Sequence, residues 1–166
     1  MSTPEMETIR ELSSRCADRL RAQGLRLVVA ESCTGGWLAK VLTDLRGSSD
    51  WFDRGYVTYS NAAKQSMLGV REETLNAHGA VSEATVAEMT RGALRESGAD
   101  LALAVSGIAG PGGGSPEKPV GTVCFAWQRA GHEAEVSREH FDGDREAVRR
   151  QSVAYLLGRL WEMVGG

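Results

Sequence analysis

The sequence predicts an α/β fold, a three-layer α/β/α sandwich around a mixed sheet of about five strands. Two observations support this prediction. Short apolar or β-branched runs alternate along the chain with longer segments whose apolar residues recur at helical spacing. Two further strand-like runs near the carboxyl end are separated by a short segment that contains a glycine, which is typical of a hairpin. Helices that alternate with strands in this way can cover both faces of one sheet.

The first part of the chain predicts a helix, a buried strand and a second helix. Residues 25–30 are dominated by Leu and Val, as in a strand buried on both faces. The second helix is expected to begin near Thr34 or Gly35 and to be broken by residues 47–50. The first helix ends at Gly24, and its apolar face is formed by Ile9, Leu12, Cys16 and Leu20.

The middle of the chain predicts a strand followed by short helices. Residues 55–60 are rich in aromatic and β-branched side chains, which favour a strand. Ser60 or Asn61 can then cap a short helix that carries Lys64. A second short helical segment is expected over residues 72–78.

A longer helix and a central strand follow. Ser82 is a good N-cap, and Gly98 ends the helix. Residues 101–106 form another unbroken apolar run and predict a central strand. The helix has apolar residues at helical spacing, namely Val86, Met89, Ala93 and Leu94.

The last part of the chain predicts a long loop, a hairpin and a final helix. Residues 107–119 contain five glycines and three prolines in thirteen positions, which excludes helix and strand. Loops of this length in a compact domain are usually functional or disordered. Residues 120–127 and 133–141 form the arms of the hairpin, and the last helix begins at Asp144.

Length, composition and charge limit the classes of protein to consider. With 166 residues, the chain is within the size of one domain, and we expect a single domain over residues 1–166. The formal net charge of -3 argues against affinity that comes mainly from nucleic-acid phosphates, so we expect no nucleic-acid partner.

The cysteines and the amino terminus suggest a compartment. Cys16, Cys33 and Cys124 are odd in number and match no zinc-binding spacing, which favours reduced thiols. Residues 1–11 include acids and lack the apolar core of a signal peptide. No stretch approaches the roughly 20 apolar residues that cross a bilayer. We therefore expect a cytoplasmic protein that does not bind membranes.

Ligands of such sheets usually bind at the carboxyl ends of the parallel strands, here after Ala30 and Ser106. In the turn after Ala30, backbone amides at a helix start could face the hydroxyl of Ser32 and form an oxyanion hole or an anion site. An equally good interpretation is that Ser32 or Thr34 only caps the helix. The turn does not match the Gly-x-Ser-x-Gly elbow, because positions 30 and 34 are Ala and Thr.

A nucleophilic serine needs a base, and the sequence offers few. The chain has three histidines, of which His132 falls in a predicted turn and His140 on a charged edge strand, so a Ser-His-Asp triad has little support. It also has three lysines, and burial of a lysine can make it a neutral base near pH 7. Lys64 lies beside a polar corner that follows a strand. The alternative is that Lys64 is an ordinary solvated lysine.

The glycine-rich loop fits neither a dinucleotide-binding fingerprint nor a Walker A loop, because it leads into a strand. Its serial amides could still form an anion-binding nest for a phosphate without a metal, although a flexible surface loop is the alternative. Arg145, in the first turn of the last helix, could hold the same phosphate or lie on the surface.

Six short motifs are spread along the chain. They are Ala-Glu-Ser-Cys-Thr-Gly-Gly (30–36), Gly-Ser-Ser (47–49), Tyr-Val-Thr-Tyr-Ser-Asn-x-x-Lys (56–64), His-Gly-Ala-Val-Ser (78–82), Gly-Ile-Ala-Gly-Pro-Gly-Gly-Gly-Ser-Pro-Glu-Lys-Pro-Val-Gly-Thr (107–122) and Gly-Asp-Arg (143–145). Taken together, these motifs resemble the CinA carboxy-terminal domain family, the nicotinamide-nucleotide amidases, in their PncC-like stand-alone form. The resemblance runs from about residue 9 to residue 161.

The resemblance implies an amidase of pyridine-nucleotide salvage and NAD metabolism. Nicotinamide mononucleotide would be hydrolysed to nicotinic acid mononucleotide and ammonia, with no metal and no cofactor. By position, Ser32 would be the nucleophile, Lys64 the base, and Tyr59 a helper that orients or relays the proton. The positions expected to bind the substrate are Cys33, Thr34, Gly35, Gly36, Ser48, Asn61, Gly107, Ile108, Ala109, Gly110 and Arg145.

Two rival hypotheses remain open. Cys33 could be the nucleophile, since a thiolate is the better nucleophile and a helix start lowers the pKa of a thiol. Alternatively, the chain could be a non-catalytic pyridine-nucleotide-binding module linked to competence or DNA-damage responses. A homodimer is a further expectation, and Trp51, Phe52 and Trp161 are candidates for its interface.

Overall fold

Five strands form one mixed sheet in the computed structural model, which describes residues 4–165 and the side chains of residues 6–165. The strand order is β2-β1-β3-β4-β5; the first three of these run parallel, and β4 is antiparallel to both of its neighbours. The strands are β1 (Leu27–Glu31), β2 (Phe52–Val57), β3 (Leu101–Gly107), β4 (Thr122–Arg129) and β5 (Glu135–His140).

Six α-helices cover the sheet in two layers within the described residues. Helices α1, α2 and α6 pack on one face, and α3, α4 and α5 pack on the other, which confirms the three-layer α/β/α prediction. None of the helices in residues 4–165 combines the length and the apolar character needed to span a membrane. The helices are α1 (Pro4–Gln23), α2 (Trp37–Thr43), α3 (Asn61–Leu68), α4 (Glu72–His78), α5 (Glu83–Ser97) and α6 (Arg145–Met163).

The two faces of the sheet differ in the size of their side chains. Residues alternate along each strand, so that large ones such as Phe125 and Trp127 face α1 and α6. The face under α5 carries mainly small ones, including Ala30, Ala102, Ala104, Cys124 and Ala126. Small side chains allow α5 to lie close to the sheet, with α3 packed beside it.

The approach of α3 to α5 depends on Gly92. A Cβ at this position would lie 1.9 Å from the carbonyl oxygen of Leu68, which is closer than any side chain can tolerate. Glycine therefore permits the contact that holds α3, the helix that carries Lys64, over the end of the sheet.

The predicted helix caps are present in the structure. Ser60, Ser82 and Asp144 each accept a hydrogen bond from the backbone amide three residues later, and they begin α3, α5 and α6 respectively. Side-chain caps satisfy amides that have no partner within the helix. Of the two residues considered at the start of α3, Ser60 is the cap.

Several predicted boundaries were wrong. The arms of the hairpin are Thr122–Arg129 and Glu135–His140 rather than residues 120–127 and 133–141. Strand β2 covers Phe52–Val57 rather than residues 55–60. Helix α2 begins at Trp37, later than predicted, because Gly35 and Gly36 adopt left-handed φ values of 57° and 99° that end any earlier helical turn.

Trp51, one of the three aromatic residues expected at a dimer interface, is not on the surface. Trp51 is completely buried in the core under α1 and α2, so it cannot contact a second chain without unfolding. Phe52 and Trp161 are half-buried, and Trp161 lies under the guanidinium groups of Arg15 and Arg19.

Candidate active site

The carboxyl ends of β1, β2 and β3 meet around a cavity of about 280 Å³. Ser32 follows β1, Lys64 lies on the helix after β2, and the glycine-rich loop follows β3. This is the edge at which ligands of such sheets usually bind. The cavity is lined by Ser32, Cys33, Tyr59, Asn61, Lys64, Ala80, Val81, Ser106, Gly107, Ile108, Ala109, Gly110, Gly112, Gly113 and Arg145.

Ser32 and Lys64 form a buried pair at the base of the cavity. The Nζ atom of Lys64 lies 3.0 Å from the Oγ atom of Ser32 and 2.8 Å from the carbonyl oxygen of Thr58. Lys64 is only 1% exposed and Ser32 only 7% exposed. The ordinary solvated lysine considered from the sequence is therefore excluded.

Burial also sets the charge of Lys64. Desolvation disfavours the ammonium form and lowers the pKa of Lys64 below its usual 10.5. Within the described residues, no carboxylate forms an ion pair with Lys64 to oppose this effect. The neutral amine, whose lone pair can accept the proton of the Ser32 hydroxyl, is thereby favoured.

The turn that carries Ser32 is built on the buried carboxylate of Glu31. This carboxylate accepts hydrogen bonds from the hydroxyl of Thr34 at 2.6 Å and from the amides of Leu38 at 2.9 Å and Ala39 at 3.0 Å. Ser32 continues the sheet by donating its amide to the carbonyl oxygen of Val105 at 3.0 Å. The last residue of β1 therefore caps α2 and fixes the intervening turn.

This arrangement corrects the predicted oxyanion hole. The first amides of α2 are occupied by Glu31, and the amide of Gly35 donates to the carbonyl oxygen of Ser32 at 3.0 Å. Among the backbone hydrogen bonds of the described chain, none uses the amides of Cys33, Thr34 or Gly36 as donors. Of these three residues, Cys33 lines the cavity, so its amide, and not the helix start, is the candidate oxyanion donor of the turn.

Four positions expected to bind the substrate do not line the cavity. The side chain of Thr34 points to Glu31 and is completely buried, while Gly35 and Gly36 form the turn behind the cavity. Ser48 lies before β2, at the opposite end of the sheet from the carboxyl ends of the strands. Ser48 therefore lies apart from the other predicted site residues, because the direction of β2 separates residues 48 and 57 by the length of a strand.

Cys33 lines the cavity, and burial favours the protonated form of its thiol. Burial raises the pKa of Cys33 to about 12, and the positive charge of Arg149 opposes this only in part. The premise that a helix start lowers this pKa was wrong, because α2 begins four residues later. A thiol that stays protonated is a poor nucleophile, and the structure thus favours Ser32 over Cys33.

Tyr59 and Arg145 meet at the mouth of the cavity. The guanidinium of Arg145 donates to the hydroxyl of Tyr59 and to the carbonyl oxygen of Gly110, each at 2.8 Å. Tyr59 is 58% exposed and, in the described structure, makes no hydrogen bond with Ser32 or Lys64. The geometry therefore gives no support to Tyr59 as a proton relay, whereas Asn61 lies at the cavity as expected.

The glycine-rich loop is anchored near its two ends. Ile108 donates its amide to Thr122 at 2.9 Å, and the Nζ atom of Lys118 donates to the carbonyl oxygen of His78 at 2.6 Å. Between these anchors, the amides of Ala109, Gly110, Gly112 and Gly113 have no acceptor in the described chain. The Ile108 amide is thus unavailable to a ligand, but the other four could bind an anion.

Arg149 is a residue that the sequence analysis missed. It donates through Nε to the carbonyl oxygen of Cys33 at 3.0 Å and through Nη2 to that of Thr34 at 3.1 Å. Its position four residues after Arg145 puts both arginines on one face of α6, and this spacing could have identified it.

Neither a histidine nor a metal-binding cluster is found at the cavity within the described residues. His78, His132 and His140 are all exposed, and none lines the cavity, which confirms the surface positions expected for the last two. Residues 6–165 hold no group of three or more His, Cys, Asp or Glu side chains that could bind a metal ion.

The sequence and the fold both match known proteins. Residues 9–164 match the model of the CinA C-terminal domain. The chain belongs to the CinA C-terminal domain family. The resemblance recognised from the six motifs is therefore confirmed over nearly the whole chain.

Relatives within the CinA family cover this chain almost end to end. The nicotinamide-nucleotide amidohydrolase PncC of Escherichia coli strain K12 is 60% identical over 152 residues, which are 92% of each chain. The protein of the same name from Pseudomonas putida is 51% identical over 95% of this chain and 98% of its own. A crystal structure of a CinA superfamily protein from Klebsiella pneumoniae is 48% identical, with a TM-score of 0.90 over 94% of this chain and 97% of that chain.

Proposed function

We propose that this CinA-family chain hydrolyses the carboxamide of nicotinamide mononucleotide, giving nicotinic acid mononucleotide and ammonia. The observation that carries the proposal is the buried contact of 3.0 Å between the Nζ atom of Lys64 and the Oγ atom of Ser32. Relatives that are 51% and 60% identical bear the name nicotinamide-nucleotide amidohydrolase, which supports the substrate.

The first step forms a tetrahedral adduct on Ser32. Neutral Lys64 takes the hydroxyl proton directly while the Ser32 oxygen attacks the amide carbon, and its contact with Thr58 keeps the amine in place. The carbonyl oxygen becomes an oxyanion, which amides of the turn after Ser32 stabilise. Loss of one such donor typically costs about 2.7 to 4 kcal/mol of barrier.

Collapse of the adduct gives an ester on Ser32 with release of ammonia, and hydrolysis of that ester releases the acid. The Lys64 ammonium returns its proton to the amide nitrogen, the C–N bond breaks, and ammonia leaves. Water then attacks the acyl carbon while Lys64 again accepts a proton. The C–O bond to Ser32 breaks, and the protonated Lys64 returns its proton to the departing oxygen. The carboxylic acid formed in this way is nicotinic acid mononucleotide.

The phosphate of the substrate would bind at the mouth. The guanidinium of Arg145 and the amides of Ala109, Gly110, Gly112 and Gly113 surround this part of the cavity. Charged hydrogen bonds from arginine and serial backbone amides both favour a phosphate. These contacts hold the substrate without taking part in bond cleavage.

A non-catalytic nucleotide-binding module is the second candidate. Such a protein would have no need to bury a lysine against a serine, because burial of an unpaired ammonium is unfavourable. A lysine whose pKa is lowered, beside a hydroxyl and at a cavity, is instead typical of a catalytic site. The Ser32–Lys64 pair therefore favours an enzyme.

Incubation with nicotinamide mononucleotide tests the proposal, with ammonia and the acid product measured by mass spectrometry. We expect turnover by the unaltered protein, loss of turnover in Ser32→Ala, and measurable turnover in Cys33→Ala. Full turnover by Ser32→Ala together with an inactive Cys33→Ala would assign the nucleophile to Cys33. Tight binding without turnover by the unaltered protein would favour the binding module.

A further inference from the structure

Arg149 holds the backbone of the turn that follows the nucleophile. Its guanidinium spans two consecutive carbonyl oxygens, those of Cys33 at 3.0 Å and Thr34 at 3.1 Å. The two ends of this contact lie 116 and 115 residues apart in the sequence. Arg149 does not line the cavity, so it reaches the turn from the side of α6.

The side chain of Arg149 is well suited to fix this turn. Its guanidinium carbon lies 5.5 Å from the centre of the Trp37 ring, a cation–π contact that restricts the arginine. A planar guanidinium presents donors in a rigid fork and stays charged at any relevant pH. A lysine at the same position would be a single flexible point charge.

The contact with Cys33 also sets the direction of a backbone amide. A peptide unit is planar and trans, so its carbonyl and its N–H point in opposite directions. Arg149 holds the carbonyl of Cys33 towards α6 and thereby turns the amide of Thr34 away from α6. This is one of the amides of the turn that have no backbone acceptor in the described chain.

The charge of Arg149 acts on the turn as well. Its positive charge lowers the pKa of the Cys33 thiol, although burial dominates. A charge that favours a thiolate at residue 33 also favours an oxyanion formed beside it.

We propose that Arg149 is a positioning residue, which clamps residues 32–35 so that the Ser32 oxygen and the turn amides keep the geometry needed for amide hydrolysis. This inference rests on the proposed function for its effect on rate. The clamp itself can be measured without any substrate.

Kinetics give the first test. Arg149→Gln should lower kcat on nicotinamide mononucleotide by roughly 10- to 100-fold, because small displacements of a reacting group have effects of this size. KM should change little, since Arg149 does not touch the cavity. Arg149→Lys keeps the charge but cannot span two carbonyls, and it should fall between Arg149→Gln and the unaltered protein.

Arg159→Gln is the matched control on the same helix. Arg159 pairs with Glu135 and Glu162 and does not line the cavity. Its kcat and KM should equal those of the unaltered protein. If Arg149→Gln retains the kcat of this control, Arg149 has no positioning role in the reaction.

Alkylation of Cys33 by iodoacetamide tests the clamp independently of turnover. Cys33 is 5% exposed and lies within the clamped turn, whereas Cys16 and Cys124 are completely buried elsewhere and serve as internal references. Loss of the Arg149 charge would by itself raise the pKa of the Cys33 thiol and slow its alkylation, so the charge-conserving variant is the one to label. Peptide mass mapping should show Cys33 labelled several-fold faster in Arg149→Lys than in Arg159→Gln, with both references unchanged.

The outcomes separate the two proposals. Unchanged labelling of Cys33 overturns the clamp, and equal acceleration at all three cysteines overturns it in favour of a general loss of packing. If the unaltered protein releases no ammonia but Cys33 labelling accelerates selectively, the clamp stands and the proposed function fails.

Discussion

Two segments leave neighbouring strands at the same edge of the sheet, and they are built in opposite ways. The turn after β1 is held from three sides by side chains of Glu31, Lys64 and Arg149. The loop after β3 is exposed at every residue from 111 to 117 and is anchored near its ends. The turn offers one fixed hydroxyl, whereas the loop offers several free amides.

This difference assigns different tasks to the two segments. Bond cleavage needs reacting atoms held within a few tenths of an ångström, which buried contacts provide. Binding of a phosphate needs donors whose hydrogen bonds are not already used. Substitutions in the turn should therefore change kcat or stability, and substitutions at the loop should change KM.

The largest effect is expected for Lys64→Met. Removal of the base should lower kcat by about 100- to 10,000-fold, the usual contribution of general acid–base catalysis. Ammonia release under saturating substrate measures this loss. Lys40→Met is the control, because Lys40 is an exposed lysine paired with Asp44 and does not line the cavity. Equal losses in both variants would contradict the role of Lys64.

Arg145→Gln should act on binding. Loss of a charged hydrogen bond typically costs about 1.5 to 3 kcal/mol, which predicts a rise in KM of roughly 10- to 100-fold with kcat largely kept. Steady-state kinetics should show this rise for nicotinamide mononucleotide and a much smaller one for nicotinamide riboside, which has no phosphate. A parallel rise for both substrates would show that Arg145 does not bind the phosphate.

Glu31→Gln should destabilise the turn. The carboxylate accepts three hydrogen bonds, and an amide nitrogen in its place would face a backbone donor. We expect a loss of about 1.5 to 3 kcal/mol in the free energy of unfolding, measured by denaturant titration. Lys118→Met removes the exposed hydrogen bond between the loop and the carbonyl oxygen of His78, and it should lower the free energy of unfolding by less than about 1 kcal/mol. A larger loss of unfolding free energy in Lys118→Met than in Glu31→Gln would contradict the proposed difference between the fixed turn and the loop.

Local patterns predicted much of this molecule. Apolar runs, helical spacing and cap residues such as Ser60 and Asp144 identified the five strands and six α-helices of the described residues, although not the short 3-10 helix Ser48–Asp50. The scarcity of histidine pointed to Lys64, and the structure buries it beside Ser32. These signals are local in sequence, which explains their success.

Features that depend on distant contacts were not predicted. The spacing of Arg149 from Arg145 indicates a shared helix face, but its contact with the turn, more than one hundred residues away, is not encoded by that spacing. Ser48 lies at one end of the sheet or the other according to the direction of β2, which is set by strand pairing. The burial of Trp51 depends on packing under α1 and α2. The protonated state of Cys33 likewise follows from burial rather than from the sequence around it.

The pH dependence of kcat/KM tests the central claim, which is that neutral Lys64 activates Ser32. Burial lowers the pKa of Lys64 below 10.5, and only the form without the extra proton can act as a base. The rate should therefore rise with pH through the Lys64 pKa and level off above it, with a midpoint below 10.5. The residual activity of Lys64→Met should lack this rise. The account would be contradicted if kcat/KM of Lys64→Met rose with pH at the same midpoint. It would also be contradicted if kcat/KM of the unaltered protein fell as the pH was raised.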